Sequence, residues 1–198
     1  MDLNGVRIAA AGCDECELHV GRDKPVFDKG NPSAKIFVCG MVPAHEENKR
    51  GLPFVGRSGQ CLDALLYEVG LSVEDVYVTN IVKCFLAPGI KLNPRWIAHC
   101  LPYLINQINI VEPKVIVTLG ADATNGLMSM PLGTKISETR GNVYKFFTTP
   151  VVPTYHPSYL VRGGCTKSPG FAKAKLDFQL ALNLVRGENN ISFNNNLE

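Results

Sequence analysis

Four of the seven cysteines stand where thiolates can share one centre. Cys13 and Cys16 form a CDEC stretch, Cys84 closes VYVTNIVKC, and Cys100 follows after fifteen intervening residues. A C-x2-C loop directs two sulfurs at one ion, and two more from elsewhere complete a four-sulfur site. Spacing alone leaves zinc and an iron-sulfur cluster both open. A thioredoxin-like redox motif is the rival for CDEC, but it would sit between a strand and a helix start. Here an acidic loop precedes the first strand. In a chain read as cytosolic, cysteines are expected as metal ligands or core residues rather than disulfides. Cys39 and Cys61 are accordingly expected as small core hydrophobes, and Cys165 as a free thiol.

A second set of reactive side chains closes the apolar runs. GMVPAHEENKRGLPFVG (40–56) follows KIFVCG and carries His45, Glu46, Glu47 and Phe54. VYVTN ends on Thr79-Asn80, and PVVPTYHP ends on Tyr155-His156-Pro157, with Ser158 next. Imidazole and carboxylate move protons or face developing charge, and a carboxamide offers a donor and an acceptor side by side. Arg162, Lys167, Lys173 and Lys175 run without an acid until Asp177, whereas Asp14, Glu15, Glu17 and Asp23 crowd the start. One end of the chain is therefore suited to gripping phosphate.

The elements that must position these groups are short and alternating. Buried strands are expected over 35–40, 76–80, 114–120 and 150–157, and helices over 58–70, 95–111, within ADATNGLMSM, and over 170–187. Asn93-Pro94 marks one helix start as a cap followed by proline. Strands alternating with helices predict an α/β protein, a three-layer α/β/α stack around a central four-stranded parallel sheet. In such sheets ligands bind outside the carboxyl ends of the strands, which is where Gly40, Asn80, Gly120 and His156 fall. The stretch 136–149 reads as a small hairpin or extended excursion.

A chain of 198 residues with net charge +2 and 45% hydrophobic residues fits one soluble domain. Its apolar runs fall far short of the roughly 20 residues that span a membrane. The expectation is a cytoplasmic monomer with no membrane partner, its domain covering 1–188 and a disordered Asn-rich tail covering 189–198. The start, MDLNGVRIAAAGC, carries Asp2 and too few apolar residues for a signal peptide.

CDEC, GMVPAHEENKRGLPFVGRSGQCLDALL, VYVTNIVKC with AHCLPYL, PKVIVTLGADA and VVPTYHPSYLVR occur in this order over residues 13–185. Together they resemble the iron-sulfur uracil-DNA glycosylases called family 4. The resemblance implies the uracil-DNA glycosylase fold, a 4Fe-4S cluster on Cys13, Cys16, Cys84 and Cys100, and DNA containing a damaged or modified base as partner. It also implies a pocket for a flipped base, formed by Gly40, Met41, Val42, Phe54, Asn80 and His156. Phe54 would stack on the ring, Asn80 would read its N3-H and O4, and His156 would stabilise charge on O2. Arg57 and Ser58 at the helix start, with Ser158, Leu160, Arg162 and Lys167, are the implied DNA contacts, Leu160 as a wedge.

One position departs from that pattern. Family 4 has Glu directly after the glycine, in Gly-Glu-Ala-Pro-Gly, and this chain has Met41. Gly40-Met41-Val42-Pro43-Ala44 is similar instead to the Gly-Leu-Ala-Pro-Ala of family 5, whose substrate range is broader. Methionine can neither orient a water strongly nor take a proton. Glu47, which matches the family 4 position further along the loop, is therefore the expected water-positioning or cation-stabilising acid, ahead of Glu46 and His45. A salt bridge to Lys49 or Arg50 is its structural alternative. No lysine stands in a motif for Schiff-base formation, so a monofunctional enzyme acting on uracil is expected. A different base (hypoxanthine or a modified pyrimidine, as in defence against phage) and a non-catalytic binder of damaged DNA are the alternatives.

Overall fold

The computed structural model describes residues 2–131 and 133–188; the expected tail over 189–198 lies outside them. The strands are β1 (Lys29–Gly30), β2 (Ile36–Gly40), β3 (Val76–Asn80), β4 (Val115–Leu119), β5 (Tyr144–Phe146) and β6 (Thr149–Thr154). The helices are α1 (Leu3–Ala11), α2 (His45–Arg50), α3 (Arg57–Glu68), α4 (Pro94–Val111), α5 (Ala121–Met128), α6 (Ile136–Thr139), α7 (Pro157–Arg162) and α8 (Pro169–Arg186).

The four expected strands form the parallel centre of the sheet, β3-β2-β4-β6. The sheet has six strands because short antiparallel β1 and β5 close its two edges. Side chains alternate across it, as period-2 geometry requires. Ile36, Val38, Val76, Val78, Val115 and Val117 face α3, α7 and α8 in one core. Phe37, Cys39, Tyr77 and Ile116 face α4 and α5 in the other. Outside α4, Val6 and Ala10 of α1 pack with Phe27 in a third, smaller cluster. Asn93 caps α4 through its side chain, with Pro94 in the first turn, as its sequence predicts. The excursion is a short helix, α6, followed by the β5–β6 hairpin. Among the described residues, no helix is long and apolar enough to cross a membrane.

Two cysteines depart from expectation. Cys61 and Cys165 form a disulfide that joins α3 to the turn after α7 across 104 residues of sequence. No spacing rule links positions so distant; they meet because α3 and α7 pack on the same face of the sheet. A cross-link closing a loop of this length restricts the unfolded chain, an effect typically worth about 2–4 kcal/mol. Reduction, or the double replacement Cys61→Ser with Cys165→Ser, should lower unfolding stability by about that amount in urea titrations. Identical midpoints with and without reductant would mean that the cross-link carries none of it.

Candidate active site

The chain around Phe54 is fixed before any ligand arrives. Phe54 takes a left-handed backbone conformation, φ +52°, which a bulky residue holds only when its neighbours enforce it. Its N–H donates to Glu47 Oε1 at 2.8 Å, and its carbonyl accepts from Lys29 Nζ at 2.9 Å. Gly59 of α3 packs so closely beneath that a Cβ there would lie 1.8 Å from the Phe54 carbonyl oxygen. The ring, only 3% exposed, belongs to the core edge. It also lines a hollow of about 310 Å³ with Val42, Ala44, Glu47, Ser58 and His156.

Gly40 ends β2 opposite Asn80, the last residue of β3. A Cβ at Gly40 would lie 2.3 Å from Asn80 Oδ1 and 2.7 Å from Phe54 Cζ, so only glycine lets amide and ring meet here. Asn80 is buried, and its Nδ2 has no hydrogen-bond partner. A buried donor without a partner carries a desolvation cost unless a ligand supplies the acceptor.

His156 caps α7, and its ring centroid lies 6.1 Å from that of Phe54. The Ser158 backbone N–H donates to Nδ1 at 3.0 Å, and the Ser158 hydroxyl lies 2.7 Å from the same atom. A backbone amide can only donate, so Nδ1 is an acceptor and the ring proton of the neutral form sits on Nε2. Burial, assisted by the charge of Arg162, pulls the imidazole pKa down to about 4. His156 is therefore a neutral donor at neutral pH. Gly120, at φ +87°, leaves room for it: a Cβ there would come within 2.8 Å of His156 Cβ.

Glu47 is buried, and its partners are backbone amides rather than Lys49 or Arg50. One carboxylate oxygen accepts from Ala44 N–H and the other from Phe54 N–H. Burial raises its pKa, opposed by these two bonds and by Lys29. The acid singled out in the sequence thus ties the loop together while also lining the hollow. Met41 packs into the core with Ile81 and Leu127, its sulfur beside Gly126 of α5. It also borders a second hollow of about 790 Å³, which shares Val42, Ala44, Ser58 and His156 with the first.

The wedge assignment fails for Leu160. Residues 157–162 form a helix, whose inward face buries Leu160 completely in the core beside Gly170. Tyr159 is the exposed apolar residue of that helix, 43% accessible, with Arg162 over its ring at 5.8 Å. Arg57, Arg162 and Lys167 are exposed. Arg57 borders a hollow of about 380 Å³ together with Val161, Gly164 and the Cys61–Cys165 disulfide. No side chain caps α3, which leaves its first-turn N–H groups open to an anion.

Cys13 and Cys16 are half-buried, and Cys84 and Cys100 are buried. Burial raises the Cys84 thiol pKa, opposed by Arg22, with Cys16 and Cys13 raising it further. Burial pushes the Cys100 thiol up to about 11, with Cys84 and Cys16 adding to the shift. Arg22 Nη1 donates to Cys84 Sγ at 3.2 Å. Among the described residues, no three His, Cys, Asp or Glu side chains close on a single metal ion. A tetranuclear cluster spreads its ligands wider than one ion does, and four cysteines that would bind it as thiolates, one of them beside a guanidinium, suit such a group in residue type.

Beneath Asn80 lies a polar network with no motif to announce it. Lys83, 1% exposed, donates from Nζ to Thr79 Oγ1 at 2.8 Å, to the Asn80 carbonyl at 2.6 Å and to Gln107 Oε1 at 2.6 Å. Gln107 donates onward to the Tyr77 hydroxyl, which donates to Asp28. The available signal was a lysine inside the otherwise apolar run IVKC.

At the carboxyl ends of the strands lie a fixed aromatic ring, a buried unpartnered carboxamide and a neutral imidazole donor, groups that suit a DNA N-glycosylase, a hydrolase. The sequence model of the uracil DNA glycosylase superfamily matches residues 27–179. A Type-4 uracil-DNA glycosylase of Thermotoga maritima is 42% identical over 76% of this chain and 78% of its own length. A Type-4 uracil-DNA glycosylase of Pyrobaculum aerophilum is 33% identical over 82% of this chain and 86% of its own. A Type-5 uracil-DNA glycosylase of the same organism is 30% identical over 69% and 67%. The chain belongs to the uracil DNA glycosylase superfamily.

Proposed function

We propose that this protein hydrolyses the N-glycosidic bond of uracil in DNA and leaves an abasic site. The observation that carries the reading is the unpartnered amide of Asn80, buried between Gly40 and Phe54. A flipped uracil would rest on Phe54 and give its O4 to Asn80 Nδ2 and its N3-H to Asn80 Oδ1. As the bond to the sugar breaks, His156 Nε2-H would donate to O2, where negative charge grows. Glu47, on the same hollow, would offset positive charge on the sugar and orient the attacking water. Arg57, Ser58, Ser158, Arg162 and Lys167 would hold phosphates, and Tyr159 takes the exposed position proposed for Leu160. Cys13, Cys16, Cys84 and Cys100 would hold a 4Fe-4S cluster, which would tie the N-terminal segment to α4.

A modified or bulkier base is the second reading, favoured by the larger hollow that Met41 and Val42 border beside the first. A panel of oligonucleotides carrying uracil, hypoxanthine or a 5-substituted uracil separates the two. The uracil reading predicts the highest kcat/KM for uracil. A higher value for either other base would overturn it.

A further inference from the structure

Lys83 carries a charge into the protein interior, and the carboxylate nearest in its network, Asp28, is reached only through Gln107 and Tyr77. A buried ammonium is costly unless its donors are all met. Its three N–H groups are met, by Thr79, by the Asn80 carbonyl and by Gln107. Two of these three acceptors belong to the last two residues of β3. β1 pairs only with Tyr77 and Val78, so beyond Val78 that edge of β3 has no strand beside it. Lys83 supplies there the support that a strand would otherwise give. Thr79 Oγ1 is held as well, donating to the Phe27 carbonyl at 2.6 Å, and Gln107 Nε2 donates to that same carbonyl at 3.2 Å. Phe27 returns the contact, with the Lys83 ammonium 5.7 Å from its ring centroid. Lys83 directly precedes Cys84 in the chain.

We infer that Lys83 is a positioning residue for base recognition. Its ammonium clamps the Asn80 main chain, so that the carboxamide meets the base already aimed, and the same residue joins that clamp to the cysteine set. The inference rests on the proposed role of Asn80. A preset hydrogen-bonding group contributes in the transition state without reorganising, and an unclamped one must be ordered at each encounter. Lys83 acts through Asn80, so its effect should vanish when the Asn80 side chain is gone.

The test is a double-mutant cycle on the intact protein with its native metal content. Lys83→Met is expected to lower kcat/KM for uracil-containing DNA about 10- to 100-fold. Inhibition by free uracil should weaken by a similar factor, while affinity for abasic DNA holds. In an Asn80→Ala background, Lys83→Met should cost less than about 3-fold. Should Lys83→Met fail to fold, Gln107→Met removes one acceptor and predicts a smaller loss with the same coupling to Asn80. Full additivity in both cycles, or equal loss of abasic-DNA binding, overturns the inference while leaving the function standing. A parent protein that neither releases nor binds uracil overturns both.

Discussion

Replacing His156 with alanine is expected to lower kcat by about 10²- to 10³-fold, the usual effect of deleting one donor to a developing oxyanion. The effect should fall on kcat rather than on KM. Charge on the uracil O2 grows only as the bond breaks, and an interaction made only then changes the chemical step. The geometry also fixes the form of the donor. Nδ1 is occupied by the Ser158 N–H, so Nε2 carries the proton of a neutral ring. Because the pKa lies near 4, lowered chiefly by burial, the ring keeps this form from pH 8 to pH 5. An ordinary histidine would take up a proton near pH 6.5. Single-turnover rates should therefore show no step near that pH from His156. Glu47 has a raised pKa, so any fall in rate on the acid side should report protonation of its carboxylate and disappear in Glu47→Gln. An acid limb retained unchanged by Glu47→Gln would assign that titration elsewhere.

Asn80→Ala is expected to cost about 10²-fold or more in kcat/KM for uracil and almost nothing in stability. The two halves of this expectation come from one fact. Asn80 Nδ2 makes no bond within the protein, so removing it breaks none, whereas a site built to pair with a base edge loses most when that group is lost. Unfolding midpoint and activity should thus separate in this variant. A large drop in stability with activity per folded molecule intact would mean that the amide holds the strand end instead.

Parallel strands could be read from the sequence because each is a continuous apolar run, buried on both faces. β1 and β5 could not: β1 is two residues long, and β5 reads Tyr-Lys-Phe with only its first residue buried. The misassignment of Leu160 is instructive. His156-Pro157 is a cap followed by proline, the same signal read correctly at Asn93-Pro94, and it starts α7. A helix over 157–162 buries every third or fourth residue, and Leu160 falls on the buried face. The double use of Glu47 has a sequence cue as well. An acid three residues after a helix cap reaches back to the cap's amide, as Glu47 does to Ala44. The Cys61–Cys165 bond and the contacts of Lys83 with Gln107 and Phe27 depend on how distant segments pack, and no local pattern encodes them.

The most direct test of uracil hydrolysis is to incubate the protein with a 5′-labelled oligonucleotide carrying one uracil and to quantify both products. One free uracil should appear for each alkali-labile site, with the strand intact until alkali is added. Uracil retained in the strand while the DNA is bound, or strand cleavage without alkali, would contradict hydrolysis by a monofunctional glycosylase.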